Sequence, residues 1–197
     1  MGHFCVRCGS PLVLREIEGR RLEACPNDDF VLWRDPKVAT AVVVETSGGI
    51  VAGRRAIEPA YGEWCLPGGF VNDDESPIQA AERECLEEIS APVEVTGLIG
   101  VYHIERRDAP SLIGIGYHAR LVDGQQPAAG SEMLEVAVFP LDQLPPLAFS
   151  SHREIVEEFI RSRASQAASG SPHGGGVAPR ASRPSPAPAR SMRPRRR

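Results

Sequence analysis

GFVNDDESPIQAAERECLEEISA, residues 69–91, is the stretch whose reading decides how this chain folds. Ser76-Pro77-Ile78-Gln79 predicts a helix start, because serine caps, proline suits the first helical position and Gln79 completes a capping box. On a helix, Glu84, Glu87 and Glu88 fall within one arc of roughly 100°. Ile78, Ala81, Cys85 and Ile89 fall on a neighbouring apolar face that should pack on the core. Like charges at these spacings repel by about 0.2–0.5 kcal/mol per pair, which a solvated acidic face would tolerate. Two features point instead to a bound cation. Arg83 lies beside Glu87 on the helix wheel, where it can orient a carboxylate. The helix also follows Leu66-Pro67-Gly68-Gly69, a glycine turn after an apolar strand, and such turns let backbone carbonyls approach a ligand. Mg2+ takes carboxylate and carbonyl oxygens and leaves room for water and phosphate.

Gly69, Glu75, Arg83, Glu84, Glu87 and Glu88, with Cys85 and Ala91 at apolar positions, resemble the Nudix box, G-x5-E-x7-R-E-U-x-E-E-x-G-U with U apolar. Ser90 departs from it, standing where the pattern has glycine, so this helix end must tolerate the left-handed region or end differently. The resemblance implies that Glu84, Glu87 and Glu88 bind Mg2+ or Mn2+, that the Gly69 carbonyl joins them, and that Arg83 holds the catalytic carboxylates. It implies that Glu75 supports the loop or binds an outer metal. It further implies hydrolysis of a nucleoside diphosphate linked to a further group, by water attack on phosphorus. Phosphoanhydride cleavage needs charge neutralised on the phosphoryl oxygens and an aligned water, which Mg2+ supplies. Glu87 or Glu88 is one candidate for the general base; Glu132, in the later loop Gly130-Ser131-Glu132, is another by analogy with Nudix families whose base lies outside the box.

Residues 1–34 read as a second unit, a zinc ribbon. Cys5-Val6-Arg7-Cys8-Gly9 has zinc-knuckle form, and Cys25-Pro26-Asn27-Asp28 follows at ribbon spacing with aspartate at the fourth ligand position. Zinc accepts Asp oxygen as well as Cys sulfur, so Cys5, Cys8, Cys25 and Asp28 can form a structural site; His3 and Asp29 are alternative fourth ligands. The competing reading is a ribbon that persists by packing without metal. Leu12-Val13-Leu14 and Arg21-Leu22-Glu23 should be its strands, around Glu18-Gly19. Cys65 and Cys85, in an apolar strand and on the core face of the helix, read as buried packing. Phe4-Cys5, Asp35-Pro36-Lys37 and Leu147-Ala148-Phe149-Ser150-Ser151 are similar to Nudix pyrophosphatases of ADP-ribose or FAD from bacteria and plant chloroplasts. NADH pyrophosphatases also join a ribbon to a Nudix domain, but their signature after the box is absent here.

Residues 35–163 should form the main domain. Val38–Glu45, Ile50–Gly53, Trp64–Leu66, Val93–Ile104, Leu112–Val122 and Glu135–Phe139 read as strands, with Gly48-Gly49 turning the first into the second. A last helix should start at Ser150 and bury Ile155, Val156, Phe159 and Ile160. Mixed strands with helices on both sides predict an α/β/α sandwich. Arg54 and Arg55 either approach substrate phosphates or are solvated. Tyr61, Phe70, Tyr102 and Tyr117 either stack on a base or flavin ring or pack in the core, where Trp64 belongs too.

From residue 164 the composition shifts to Ser, Ala, Gly, Pro and Arg, too poor in apolar side chains to fold. The net charge of −4 hides an asymmetry: residues 161–197 hold nine arginines and no acid, leaving 13 basic and 26 acidic residues before them. That tail is either an anion-seeking segment for nucleic acid or an acidic partner, or simply solvated. The 42% hydrophobic content suits one modest domain, and no window has transmembrane length. No signal peptide is visible, and five cysteines, two of them in C-x-x-C, fit a cytosolic metal protein. The expected partner is a nucleotide-derived small molecule, with no membrane; an oligomer is compatible with the sequence. Two functions follow: a pyrophosphatase of ADP-ribose, FAD or NADH type, or a nucleotide-sensing or nucleic-acid-associated binding module.

Overall fold

The computed structural model describes residues 2–107, 109–122 and 124–168. Three short strands come first: β1 (Val13–Ile17), β2 (Arg20–Ala24) and β3 (Val31–Leu32), paired antiparallel in that order. Glu18 and Gly19 join β1 to β2 with φ of 51° and 73°, the left-handed pair that a two-residue hairpin turn demands. This unit buries little besides Cys5, Leu22, Ala24 and Cys25. Strand β3 has no signal in the sequence beyond two apolar residues.

The larger sheet contains β4 (Lys37–Thr46), β5 (Gly49–Arg55), β6 (Trp64–Cys65), β7 (Val93–Ile104), β8 (Leu112–Leu121) and β9 (Met133–Phe139). Its order is β6-β5-β4-β8-β7, with β9 on β5. Strands β4 and β8 run parallel and the remaining pairs antiparallel, so the sheet is mixed. Helix α1 (Pro77–Ile89) and helix α2 (Ser150–Ala168) cover its faces. Strand β4 divides its side chains between them. Val42 and Val44 join Ala81, Cys85 and Ile89 of α1, while Ala41 and Val43 join Ile155, Val156 and Phe159 of α2. The expected α/β/α sandwich is what forms.

Four details differ from the sequence reading. Ile78, in the first turn of α1, is 47% exposed, because the cluster that receives Ala81, Cys85 and Ile89 does not extend to it. Ile160 is 37% exposed at the edge of α2's buried stripe. The turn after β4 is Ser47-Gly48, with Thr46 facing Gly49. Helix α2 continues to Ala168, past residue 164 where the sequence predicts the tail. The reading of the remaining tail falls on residues 169–197, outside the described residues. No helix among the described residues is long and apolar enough to cross a membrane.

Candidate active site

The site is built on the glycine turn. Residues 67–71 run alongside β4 as an extended strip: Val42 N–H donates to the Pro67 carbonyl, Thr40 N–H to the Gly69 carbonyl, and Val71 N–H to the Val38 carbonyl, at 2.8, 2.8 and 3.0 Å. The residues between turn the other way, with Gly68 N–H donating to Glu88 Oε2 at 2.8 Å and the Phe70 carbonyl accepting from Arg83 at 3.1 Å. Both glycines are required. Gly68 has φ 149°, and a Cβ there would sit 2.2 Å from the Thr40 oxygen. A Cβ on Gly69 would sit 2.5 Å from Glu84 Oε1. The Gly69 carbonyl, expected at a metal, is thus engaged by Thr40 and points at β4.

Ser76 caps α1 as read, with the reciprocal Gln79 bond present. Ser90 closes it at φ 51°, ψ 26°, so the serine does take the left-handed region in place of glycine. The last helical carbonyls are then satisfied from far along the chain. Ala128 N–H donates to the Ile89 carbonyl at 2.8 Å and Gly130 N–H to the Glu88 carbonyl at 2.9 Å. Gly130 fits because a Cβ would lie 1.9 Å from the Glu87 carbonyl oxygen. Two residues on, the Glu132 carbonyl accepts from Ala56 N–H at 2.8 Å, and the Glu132 charge acts on both Glu84 and Glu88.

Arg83 is the hub. Its guanidinium grips Glu75 through two bonds of 3.0 and 2.7 Å, donates to Glu84 at 2.9 Å and reaches Glu87 at 3.2 Å. The orienting role read from the helix wheel extends to three carboxylates rather than one. Arg83 bonds first, then the Asn72 N–H, hold the Glu75 carboxyl down to about 2. Glu75 is therefore a strut for Arg83. Glu88 is the opposite case: it is 3% exposed, and burial pushes it up to about 8, with repulsion from Glu84 and Glu132 opposing the Gly68 N–H and Arg55. Burial raises Glu84 as well. Glu87 stays exposed. Glu88, buried, and Glu84, half-buried, are a carboxylate pair suited to a hard divalent cation.

The two arginines of β5 separate. Arg54 Nε lies 3.5 Å from Glu135 on β9. Arg55 donates from Nε to the Pro59 carbonyl at 2.8 Å, lies 5.3 Å from the Phe149 ring centre, and acts on Glu88. Of the aromatic candidates, Tyr117 is buried and Tyr102 packs against the α2 core, whereas Tyr61 and Phe70 are exposed. Trp64 meets Phe139 edge-on at 4.9 Å. Cys65 and Cys85 are buried, and burial raises both thiols, Cys65 to about 11. His152 gave no signal in sequence. Its Nδ1 accepts from Leu66 N–H at 3.1 Å, which fixes the start of the glycine turn to α2, and burial lowers it to about 4.

A second cluster lies in the ribbon. The ligand atoms of Cys5, Cys8, Cys25 and Asp28 all fall within 4.8 Å of one another, a group that could hold a metal. Arg7 N–H donates to Cys5 Sγ and Asn27 N–H to Cys25 Sγ, both at 3.4 Å, and Phe30 N–H fixes Asp28 Oδ1 at 2.8 Å. His3 instead bonds Glu23 at 2.9 Å, and Asp29 pairs with Arg7, so neither alternative ligand joins the group.

The NUDIX domain family model matches residues 35–159. An ADP-ribose pyrophosphatase of Methanocaldococcus jannaschii is 34% identical over 133 residues, covering 67% of this chain and 78% of that protein. An NAD-capped RNA hydrolase NudC of Pseudomonas syringae is 27% identical over 163 residues; the match covers 81% of this chain but only 56% of the relative. Among solved structures, a NUDIX hydrolase of Nitrosomonas europaea superposes with a TM-score of 0.74 at 31% identity, over 82% of this chain and 92% of that one.

Proposed function

This chain belongs to the Nudix family, hydrolases acting on pyrophosphate bonds, and from that premise we propose that it is a Mg2+- or Mn2+-dependent pyrophosphohydrolase of ADP-ribose or a similar dinucleotide such as FAD. The observation that carries the reading is the convergence of Glu84 and Glu88 on the glycine turn, with Arg83 fixing Glu84 and Glu87 from behind. Glu84, Glu87 and Glu88 would hold the cation. A backbone carbonyl of the glycine turn would join them, where that of Gly69 already accepts from Thr40. The cation supplies charge neutralisation on the phosphoryl oxygens and acidifies water. Arg83 keeps the carboxylates in register without itself facing substrate. Glu132, whose charge acts on Glu84 and Glu88, would take the proton of the attacking water. In the ribbon, three sulfurs and one carboxylate suit zinc in a structural role.

The likeness to an ADP-ribose pyrophosphatase supports the substrate class, and that to the NudC enzyme favours including NAD-type dinucleotides. A panel of ADP-ribose, FAD and NADH with Mg2+, read by nucleotide release, tests the proposal against the Glu84→Gln and Glu88→Gln variants. Turnover by the wild type and its loss in both variants is expected. A wild type inert toward every nucleoside diphosphate derivative would leave the binding-module reading in its place.

A further inference from the structure

Twenty-one of the 22 basic residues in this chain are arginine; Lys37 is the single lysine. Arginine and lysine differ in geometry and hydration but share a positive charge, so the one ammonium is a cation with its own place in the fold. That place adjoins the catalytic turn. Lys37 is the first residue of β4, and its Nζ lies 5.0 Å from the centre of the Phe70 ring. Phe70 follows Gly69 directly, is 46% exposed, and has its carbonyl held by Arg83. Phe70 stands opposite Ala39, and Lys37 shares the parity of Ala39 on β4. The turn is thus one strand thick here, with the Glu84 carboxylate against Gly69 on one side and the Phe70–Lys37 pair on the other.

Arg83 and Arg55 are engaged by hydrogen bonds, and Arg54 by an ion pair that leaves its buried Nε without a hydrogen bond. Arg83 serves Glu75, Glu84, Glu87 and the Phe70 carbonyl; Arg54 faces Glu135; Arg55 is held by Pro59 and Phe149. Lys37 has an aromatic partner and, among the described residues, no ion pair. A pyrophosphate brings several negative charges to a region already lined with carboxylates, and it needs positive charge beyond the metal. We propose that Lys37, held over the Phe70 ring, is the anion-binding residue of the substrate site. Its ammonium takes the phosphoryl group that lies outside the carboxylate cluster, where the substrate crosses the edge of the turn. This assignment rests on the pyrophosphohydrolase reading.

The single lysine makes the test direct. Full-length protein is acylated with an amine-selective reagent, with and without saturating ADP and Mg2+, and Lys37 is followed by peptide mass with the chain's α-amine as internal control. ADP should slow labelling of Lys37 several-fold and leave the α-amine unchanged. In turnover, Lys37→Gln should raise KM about tenfold, the scale of one charged hydrogen bond, with kcat nearly unchanged, and Lys37→Arg should recover most of the loss. Unprotected Lys37 together with a wild-type KM in Lys37→Gln overturns the assignment while leaving the hydrolase reading intact. A fall in kcat alone, not repaired by arginine, overturns it in favour of a structural role. Should no pyrophosphate be hydrolysed, the hydrolase reading fails by itself, and protection by ADP still decides whether Lys37 meets the anion.

Discussion

Glu88 is a carboxylate held in the fold in the wrong charge state for stability, and replacing it should show this in the metal-free protein. Its carboxyl stands at about 8 in the fold against 4.5 unfolded. A raised carboxylate pKa means that the native state holds the proton longer, so stability falls as pH rises between those two values. At about 1.4 kcal/mol per unit, the full penalty above pH 8 approaches 5 kcal/mol. His152 works in the opposite direction: with its pKa depressed from 6.5 to about 4, it lowers stability as pH falls through that window. The two slopes oppose each other below pH 6.5, so the informative range lies above it. Between pH 6.5 and 8.5 the Glu88 contribution alone amounts to about 2 kcal/mol. Urea unfolding without added Mg2+, followed by Trp64 fluorescence in a Trp33→Phe background, should show the wild type losing that amount. Glu88→Gln should stay level, and added Mg2+ should flatten the wild-type curve, because a cation compensates the charged form. Chelators are left out so that a ribbon metal is undisturbed. Parallel curves for wild type and Glu88→Gln would refute the reasoning.

Other substitutions separate the parts of the site. Arg83→Gln frees Glu75, Glu84 and Glu87 together, and kcat should fall about 100-fold while the circular-dichroism spectrum is kept. Gly69→Ala drives a methyl into Glu84 and should lower kcat about 10- to 100-fold with a smaller change in melting temperature, measured side by side. Cys25→Ser removes one ligand from the ribbon cluster. Metal analysis of the purified protein should show zinc retention reduced by at least about 100-fold in competition with a chelator, with Mg2+-dependent turnover per folded molecule preserved.

The helix, its caps and the direction of its carboxylates were legible because every signal lies within a few residues. Ser76, Pro77 and Gln79 act on one turn, and a 3.6-residue period places Glu84, Glu87 and Glu88 without outside information. The gathering of Cys5, Cys8, Cys25 and Asp28 was legible for the same reason, since their spacing is local within each half. What escaped is long-range. Glu88 finds the Gly68 amide 20 residues away, Ile89 and Glu88 are closed by Ala128 and Gly130, and His152 meets Leu66 across 86 positions. The direction of the Gly69 carbonyl depends on pairing with β4, which a motif does not contain. Ile78 and Ile160 obey the helical period yet remain exposed, because the width of the receiving surface is a property of the sheet.

The clasp at the end of α1 carries a consequence for how this scaffold can diversify. Ala128 and Gly130 are tied to the carbonyls of Ile89 and Glu88, while the Glu132 carbonyl accepts from Ala56 N–H at 2.8 Å, so this loop is pinned at both α1 and the end of β5. The segment between β8 and Ala128 then spans two fixed points without setting either. Insertions and deletions within residues 124–127 should therefore leave the ties of Ala128 and Gly130 to the end of α1 in place. Loop length is thus decoupled at this junction from the geometry at the end of α1.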